Sequence, residues 1–261
     1  MRSTSTELER TAQAAPPFRC RWVQNWRHVL FAHWPVPIDV LQRLLPSALD
    51  PDLYEGQTWV SAVAFHLTTR PPGLPAVPLC SHLWELNLRT YVRRNEEPGV
   101  LFLSMHGGGR LAVWLGRQLT PLPYVFGRIR ADGSPSRRFR CLDSCGWPLF
   151  DSDSKVNGGE FQPAAGSLDA WLVERYTAFG SNGHRTWRMR VQHRPWRMKA
   201  VRAIVAAVGL GRRWGLDLQG LPALVHYSPG VTARTGRFEW ADQELSAPRS
   251  ITGADVPGGS S

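Results

Sequence analysis

The sequence has very little lysine. Only Lys155 and Lys199 occur among its 261 residues, and the other 29 of its 31 basic residues are arginines. Chemistry that needs a primary amine, such as imine formation with a carbonyl compound, therefore has two candidates in the whole chain. Long apolar runs are lacking as well, since no stretch approaches the roughly 20 consecutive apolar residues that span a bilayer. We therefore expect no membrane association.

Cysteine is scarce, with four residues scattered along the chain. Cys141 and Cys145 are four positions apart, but no second close pair of cysteine or histidine follows, so the spacing of a structural zinc site is incomplete. The eight histidines include no HExxH motif, and scattered serine, histidine and aspartate residues do not identify a catalytic triad. We therefore expect neither a metal ion nor a cofactor.

The ends of the chain differ from its middle. Residues 1–17 and 241–261 lack periodic apolar residues, and we expect both to be disordered tails. The first tail has no apolar run of the kind found in secretory signals, and together with the scattered cysteines this favours the cytoplasm. The full chain is 43% apolar, which is enough material for one sizeable core, and we expect a single domain at 18–240.

Short strands separated by proline and glycine dominate the pattern of residues 18–240. Segments 83–92 and 100–106 flank a turn with Pro98 and Gly99, which predicts an antiparallel hairpin. Helices are predicted at 38–45, 110–119, 168–179 and 198–208. They do not alternate regularly with strands, which argues against a doubly wound parallel sheet. We predict an α+β fold, a mainly antiparallel sheet closed into a barrel with a few peripheral helices.

The most informative polar pattern lies on the strand 83–92. Alternation places Glu85, Asn87, Arg89 and Tyr91 on one face and apolar residues and threonine on the other. This polar face either lies in water, as in many antiparallel strands, or lines an enclosed cavity. In a cavity, a carboxyl and a guanidinium group four residues apart could share a ligand. Burial would also raise the pKa of the carboxyl towards the range that suits proton transfer.

The neighbouring strand carries Ser104 and His106, followed by three glycines at 107–109. A glycine-rich turn that opens a helix can bind phosphate through its backbone N–H groups. The spacing matches neither the dinucleotide-binding fingerprint nor the P-loop, so a tight turn is the simpler interpretation. Ser104 and His106 are candidate substrate-binding residues, together with the three residues that follow Glu85 on the polar face.

The formal net charge is +10. Arg188, Arg190, Arg194 and Arg197 form a cationic stretch that could attract nucleic acid. Most of the twelve tryptophans, however, fall on predicted apolar faces, which favours core packing and cavity lining over stacking on bases. An excess of arginine over lysine along a whole chain is also typical of a genome-wide composition bias. We therefore do not expect nucleic acid as a partner.

Several motifs resemble the bacterial YqjF-like proteins, an uncharacterised domain family. The resemblance covers about residues 20–235. Its motifs are FAHWPVP at 31–37, ELNLRTYV at 85–92, LPY at 122–124, HRPW at 193–196 and HYSPG at 226–230. Because these motifs are spread over most of the chain, the resemblance is specific. The family has no settled activity, so the resemblance to it implies none for this chain.

That family is similar in turn to acetoacetate decarboxylase, whose fold is a closed, cone-like β-barrel around a ligand cavity. The parallels are an early helix that ends at Pro46, Glu85 on the central strand, and Gly-Arg-Gln-Leu at 116–119 followed by Pro123. Those decarboxylases carry a lysine pair just after this proline, and one lysine forms the Schiff base. This sequence has Tyr124 and valine instead. The resemblance therefore implies the fold and the cavity but argues against that reaction.

Two hypotheses follow, and the sequence does not separate them. In the first, the barrel is an enzyme that performs acid–base chemistry on a small carbonyl or carboxylate compound without an imine. Glu85 would transfer the proton and Tyr124 would occupy the former lysine position, while Arg89 and Arg117 would hold a carboxylate or enolate oxygen. In the second, the same cavity binds a small molecule without turnover. Both hypotheses predict a small-molecule ligand, and both are compatible with a homo-oligomer.

Overall fold

The computed structural model describes residues 18–77, 81–132 and 136–241, so the predicted tails lie outside the described residues except for Ala241. Within these ranges the helices are α1 (Ile38–Gln42), α2 (Arg110–Leu119) and α3 (Leu168–Val173). The strands are β1 (Trp22–Val36), β2 (Asp50–Pro51), β3 (Thr58–Arg70), β4 (His82–Arg94), β5 (Glu97–Gly107), β6 (Tyr124–Phe126), β7 (Arg128–Asp132), β8 (Ser136–Leu142), β9 (Pro148–Phe161), β10 (Thr177–Ser181), β11 (Thr186–Gln192), β12 (Met198–Ala206) and β13 (Leu224–Ala241). None of the helices in the described ranges is long and apolar enough to cross a membrane.

Seven of the strands close a barrel in the order β1, β3, β4, β5, β10, β11 and β13, and β13 pairs with β1 to complete the circle. Neighbouring strands are antiparallel except β5 and β10, which are parallel. The predicted hairpin is formed by β4 and β5, with Glu85 opposite Gly107 and Arg94 opposite Glu97. The prediction of an α+β fold with a closed, mainly antiparallel barrel is therefore confirmed.

The sheet continues beyond the barrel through β12, β9, β8 and β7 and creates a second layer. Outward side chains of the barrel, among them Leu86 and Leu88, pack with Phe139 and Phe150 of this layer in one core. Inward side chains, such as Phe31, form a second core with residues of the other barrel strands. Because side chains alternate along β4, Leu86 and Leu88 face the outer core, whereas Glu85, Asn87 and Arg89 face the interior of the barrel.

Two of the predicted helices are wrong. Segment 198–206 is the strand β12, in which more buried and more exposed side chains alternate with a period of two. The helix predicted at 168–179 ends at Val173, and the chain then forms β10, where Thr177 and Phe179 favour a strand. Gly180 is required in β10, because a Cβ atom at this position would collide with the ring of Trp187. The sequence pattern also does not predict β6 to β9.

Candidate functional site

The barrel encloses a cavity with a volume of about 80 Å³. One ordered water occupies about 10–15 Å³ on this measure, so the space suits several waters or a compact organic molecule. Most of the wall is apolar or aromatic, and a few polar side chains converge on it. These are Gln24, Glu85, Asn87, Arg89, Tyr124, Arg175, Thr177, His193 and Thr235. A mostly apolar wall with few convergent polar groups is typical of a small-molecule site.

Glu85 is only 1% exposed, and its two carboxyl oxygens differ in their partners. The Tyr124 hydroxyl donates to Oε2 at 3.3 Å. The other oxygen, Oε1, has no hydrogen-bond partner in the described part of the chain. Burial raises the pKa of Glu85 to about 7, although the hydrogen bond from Tyr124 favours the ionised form. Near neutral pH this carboxyl can therefore either accept or release a proton.

Tyr124 reaches Glu85 because of the chain path after α2. β6 runs parallel to β5, with Tyr124 opposite Met105. Gly116 of α2 leaves space for the tyrosine ring, since a Cβ atom there would lie 2.8 Å from the ring carbon Cδ2. Burial raises the pKa of the Tyr124 phenol well above its usual value, and the charge of Glu85 raises it further. The phenol therefore stays protonated and acts as a hydrogen-bond donor.

Two guanidinium groups line the cavity, and they differ in their partners. Arg175 is paired with Asp52, with 2.6 Å between Nη1 and Oδ2, and both side chains are buried. Arg89 instead donates from Nη2 to the carbonyl oxygen of Leu172 at 3.0 Å and lies over the Phe31 ring. Its buried Nε has no partner, and in the described ranges no acidic residue pairs with it. Nη2 of Arg175 also has no partner in the described ranges, but Asp52 balances the charge of Arg175. Arg89 is therefore the cavity cation whose charge is available to an anionic ligand.

A chain of hydrogen-bonded side chains lies beside α3. It begins at Asp169 on α3, whose Oδ1 is 3.0 Å from Nε2 of His226. Nδ1 of His226 is 3.1 Å from Nε2 of His33, and Nδ1 of His33 is 2.6 Å from Oγ of Ser61. Burial lowers the pKa of both histidines, so both are neutral near pH 7. Together with Tyr91, these residues form what we term the buried polar chain.

Tyr91 ends the buried polar chain. Its hydroxyl is 2.6 Å from Oγ of Ser61 and donates to the carbonyl oxygen of Leu172 at 2.8 Å. The same carbonyl accepts the hydrogen bond of Arg89, so the chain and the cavity meet at one atom. Tyr91 is fully buried and is not among the residues that line the cavity. Its predicted contact with a substrate thus has no counterpart in the cavity wall.

Ser104, His106 and Arg117 lie in a different space from Glu85. They line an outer cleft together with Arg213, while Tyr124 borders both the cleft and the barrel cavity. Burial lowers the pKa of His106 to about 4, so this imidazole is neutral at pH 7. Three of the eight candidate residues are therefore separated from the cavity by the barrel wall. A role for them in ligand binding stays a prediction for the outer cleft.

Sequence reasoning missed several residues of the cavity wall. His193 and Trp196 contact each other and Trp26, with ring centroids 5.1 to 6.0 Å apart. Arg175 was missed as well, although it lines the cavity and fixes Asp52. The HRPW motif at 193–196 was the available signal, because it groups two of these aromatic residues in one short segment.

Residues 23–232 match the sequence profile of the DUF2071 family, described as an uncharacterized conserved protein. The chain is also similar to the uncharacterized protein YqjF of Bacillus subtilis (strain 168). The two are 33% identical over 216 residues, a match that covers 79% of this chain and 88% of that protein. Both findings agree with the motifs that extend from β1 to β13.

Solved structures with a similar fold include an acetoacetate decarboxylase-like enzyme from Sphingomonas wittichii RW1, with a TM-score of 0.60, 15% identity, and coverage of 86% of this chain and 94% of that one. Acetoacetate decarboxylase from Legionella pneumophila gives a TM-score of 0.59, 11% identity, and coverage of 89% and 93%. The enduracididine biosynthesis enzyme MppR complexed with pyruvate gives 0.57, 13% identity, and coverage of 87% and 91%. At these identities the likeness shows the fold alone. The chain therefore belongs to the DUF2071, YqjF-like family and has an acetoacetate decarboxylase-like fold.

Proposed function

We propose that the barrel binds a small carbonyl or carboxylate compound and transfers a proton at the carbon next to its carbonyl group, without forming an imine. Glu85 is the proton-transfer group, Tyr124 donates to it, and Arg89 binds the ligand oxygen. The observation that carries this proposal is the Glu85 carboxyl, buried in the cavity with no partner for Oε1 among the described residues and with its pKa raised to about 7. A group of this kind is suited to general acid–base catalysis near neutral pH.

The two lysines support the absence of an imine. Lys155 lies on β9 and Lys199 on β12, two strands outside the circle of the barrel, and neither residue lines the cavity. Imine catalysis needs an amine within bonding distance of the substrate carbonyl. Next to Glu85 the cavity offers the phenol of Tyr124 instead. The chemistry left to this site is therefore proton transfer and electrostatic stabilisation.

The proposed step uses only groups of the cavity. Ionised Glu85 removes a proton from the carbon next to the carbonyl, and the electron pair of the broken C–H bond moves into the carbonyl to give an enolate. Nε of Arg89, buried without a partner, donates to the enolate oxygen and stabilises its charge. The Glu85 carboxyl then exchanges its proton with water, and return of a proton from Glu85 to carbon restores both the carbonyl compound and the carboxylate. In D₂O the group returned to carbon is therefore a deuteron.

The partner in this proposal is a small molecule in the cytoplasm, not a nucleic acid. Of the cationic stretch on β11 and after it, Arg188 is ion-paired with Glu97 and Glu239, and Arg197 is paired with Glu160. These pairs reduce the positive charge that would attract phosphate groups. MppR is complexed with pyruvate in one of the similar structures, so 2-oxo acids are the first compounds to test.

Deuterium exchange tests the proposed step. Pyruvate, 2-oxobutanoate and acetoacetate are incubated with the protein in D₂O, and the protons next to each carbonyl are followed by NMR. We expect faster exchange than in the presence of Glu85→Gln protein, because glutamine cannot accept the proton. The rate should rise with pH and level off above about pH 7, where Glu85 is ionised.

Two outcomes would contradict this mechanism in different ways. Binding of an acid without exchange above the Glu85→Gln control would support the alternative hypothesis, a ligand-binding protein without turnover. Borohydride treatment in the presence of the same acids should leave the intact mass unchanged. A stable adduct on Lys155 or Lys199 would show that an imine forms after all.

A further inference from the structure

The barrel cavity adjoins a larger groove at the surface. The groove has a volume of about 340 Å³ and is bordered by α2, β1, β3 and β13. Six residues line both spaces, namely Gln24, Leu67, Leu122, Tyr124, Met189 and Thr235. Because the two spaces share these side chains, they adjoin one another, and a ligand that extends between them would follow one path from the surface, past Tyr124, to Glu85.

The two ends of this path differ in charge. The inner end contains Glu85, Arg89 and Arg175. No described residue that lines the groove is charged, and most of its wall is leucine, valine, proline, alanine and aromatic side chains. A ligand that occupies the whole path therefore meets hydrogen-bonding and charged groups at one end and apolar surface at the other. This polarity matches a molecule with a polar head and a hydrocarbon tail.

Helix α2 leaves apolar side chains uncovered along the groove. Ala112, Leu115 and Leu119 share the side of the helix that lines the groove, at the spacing of successive helical turns. Val113 is buried against the barrel and anchors the helix, whereas Leu119 is 63% exposed. A row of apolar side chains that borders a pocket and is not fully covered by the described residues offers surface to a ligand.

We propose that the ligand is amphipathic, with a carboxylate or carbonyl group at Glu85 and Arg89 and a hydrocarbon chain that passes Tyr124 into the groove. The position of the polar head rests on the proposed function. The cavity alone, at about 80 Å³, has room for the head group only, and the groove supplies the space for the chain. The substrate class is therefore a carboxylic or oxo acid with an alkyl tail.

Calorimetric titration of the full chain with straight-chain carboxylic acids of increasing length tests this class. Burial of one methylene is worth about 0.8 kcal/mol, so affinity should increase about fourfold for each added carbon until the groove is filled. Leu115→Asp places a charge in the groove and should flatten this increase. Leu111→Asp is the matched control on the same helix, because Leu111 is exposed and is not among the residues that line the cavity or the groove.

The outcomes separate this inference from the proposed function. Equal affinity for short and long acids in the unmodified protein would overturn the amphipathic ligand and leave the polar site standing. No binding of any acid would overturn both. A dependence on chain length that survives Leu115→Asp would mean that the tail lies elsewhere. If the dependence arises only after residues 1–17 are removed, the N-terminal segment is the natural occupant of the groove and the inference is wrong.

Discussion

The interior of the barrel holds two groups of polar side chains, contributed in part by the same strand. Around Glu85, several buried atoms have no hydrogen-bond partner in the described ranges: Glu85 Oε1, Asn87 Oδ1 and Arg89 Nε. In the buried polar chain, which ends at Tyr91 on the same strand, each histidine nitrogen and each hydroxyl has a partner within 3.1 Å. Both groups are polar, but only the group around Glu85 has buried atoms with no neighbour at hydrogen-bonding distance in the described ranges.

This difference supports the assignment of ligand binding to the Glu85 cavity. An unpaired buried polar atom costs about 1–3 kcal/mol, so several of them in one place indicate that another molecule completes the bonds. The buried polar chain, by contrast, connects β1, β3, β4 and β13 with α3, and each of its ring nitrogens and hydroxyls already has a neighbour at hydrogen-bonding distance. Burial and polarity alone would not have distinguished a site from a structural network.

The largest change in stability is expected at Glu85. Its pKa is raised from an ordinary value of 4.5 to about 7, so the folded protein holds this proton more tightly than the unfolded chain. The resulting stability is fully present below pH 4.5 and is lost as the pH rises through about 7. Glu85→Gln cannot ionise. The unfolding free energy of Glu85→Gln minus that of the unmodified protein should therefore rise by about 3 kcal/mol between pH 4 and pH 8. Urea unfolding of both proteins at the two pH values measures this difference.

Glu160→Gln provides the matched control, because the Glu160 side chain is 41% exposed on β9 and its carboxylate is already solvated. We expect no comparable change with pH in this variant. If Glu85→Gln behaved like Glu160→Gln, Glu85 would be ionised and in contact with water, and the enclosed cavity would lose its main support.

A smaller effect is expected at Ser61, in the middle of the buried polar chain. Ser61→Ala removes the hydroxyl that lies 2.6 Å from both His33 and Tyr91, so a buried imidazole nitrogen loses its partner. The cost should be about 2 kcal/mol in urea unfolding, with little change in ligand affinity. Ser152→Ala is the control, since Ser152 is similarly buried but its hydroxyl has no partner in the part of the chain that the structure describes. Loss of ligand binding without loss of stability would instead place the site in the chain.

The polar face of β4 could be predicted because alternation along a strand is a local property. Glu85 and Arg89 therefore line the same cavity, as the alternation predicted. The position of Ser104 could not be predicted, because the register of the β4–β5 pair shifts at this point. Arg89 lies opposite Phe102, whereas Leu88 lies opposite Ser104, so Leu103 is an extra residue on β5. This extra residue turns Ser104 out of the barrel. No pattern of neighbouring residues in the sequence shows where such a bulge falls.

The buried polar chain could not be predicted for a different reason. Its contacts join residues that are 28 to 193 positions apart, and the longest of them, between His33 and His226, exists only because β13 closes the barrel against β1. His33 and His226 both occur in the motifs of the family resemblance, but a motif does not show which of its residues meet. Local patterns thus predict the face on which a residue lies, whereas contacts across the closed barrel depend on the complete fold.

The smallest effect on the unfolding free energy is expected at Asp169, the outer end of the buried polar chain. The side chains of this chain have fewer protons to donate than there are contacts between them. It makes five contacts between the carboxylate of Asp169 and the carbonyl of Leu172. Both of these ends only accept hydrogen bonds. Two neutral histidines, one serine and one tyrosine bring one proton each, so four protons serve five contacts. One contact in the chain must therefore lack its hydrogen bond.

Asp169→Asn supplies the missing proton. The amide can donate to Nε2 of His226, after which each side chain donates to the next until Tyr91 donates to the carbonyl of Leu172. This gain offsets the lost attraction between carboxylate and imidazole, so the unfolding free energy at pH 7 should change by less than about 0.5 kcal/mol. Asp169→Ala leaves the imidazole without this partner and should cost about 1 kcal/mol. If Asn destabilised the protein as much as Ala, the chain would already hold a fifth proton, shared between His226 and the carboxylate.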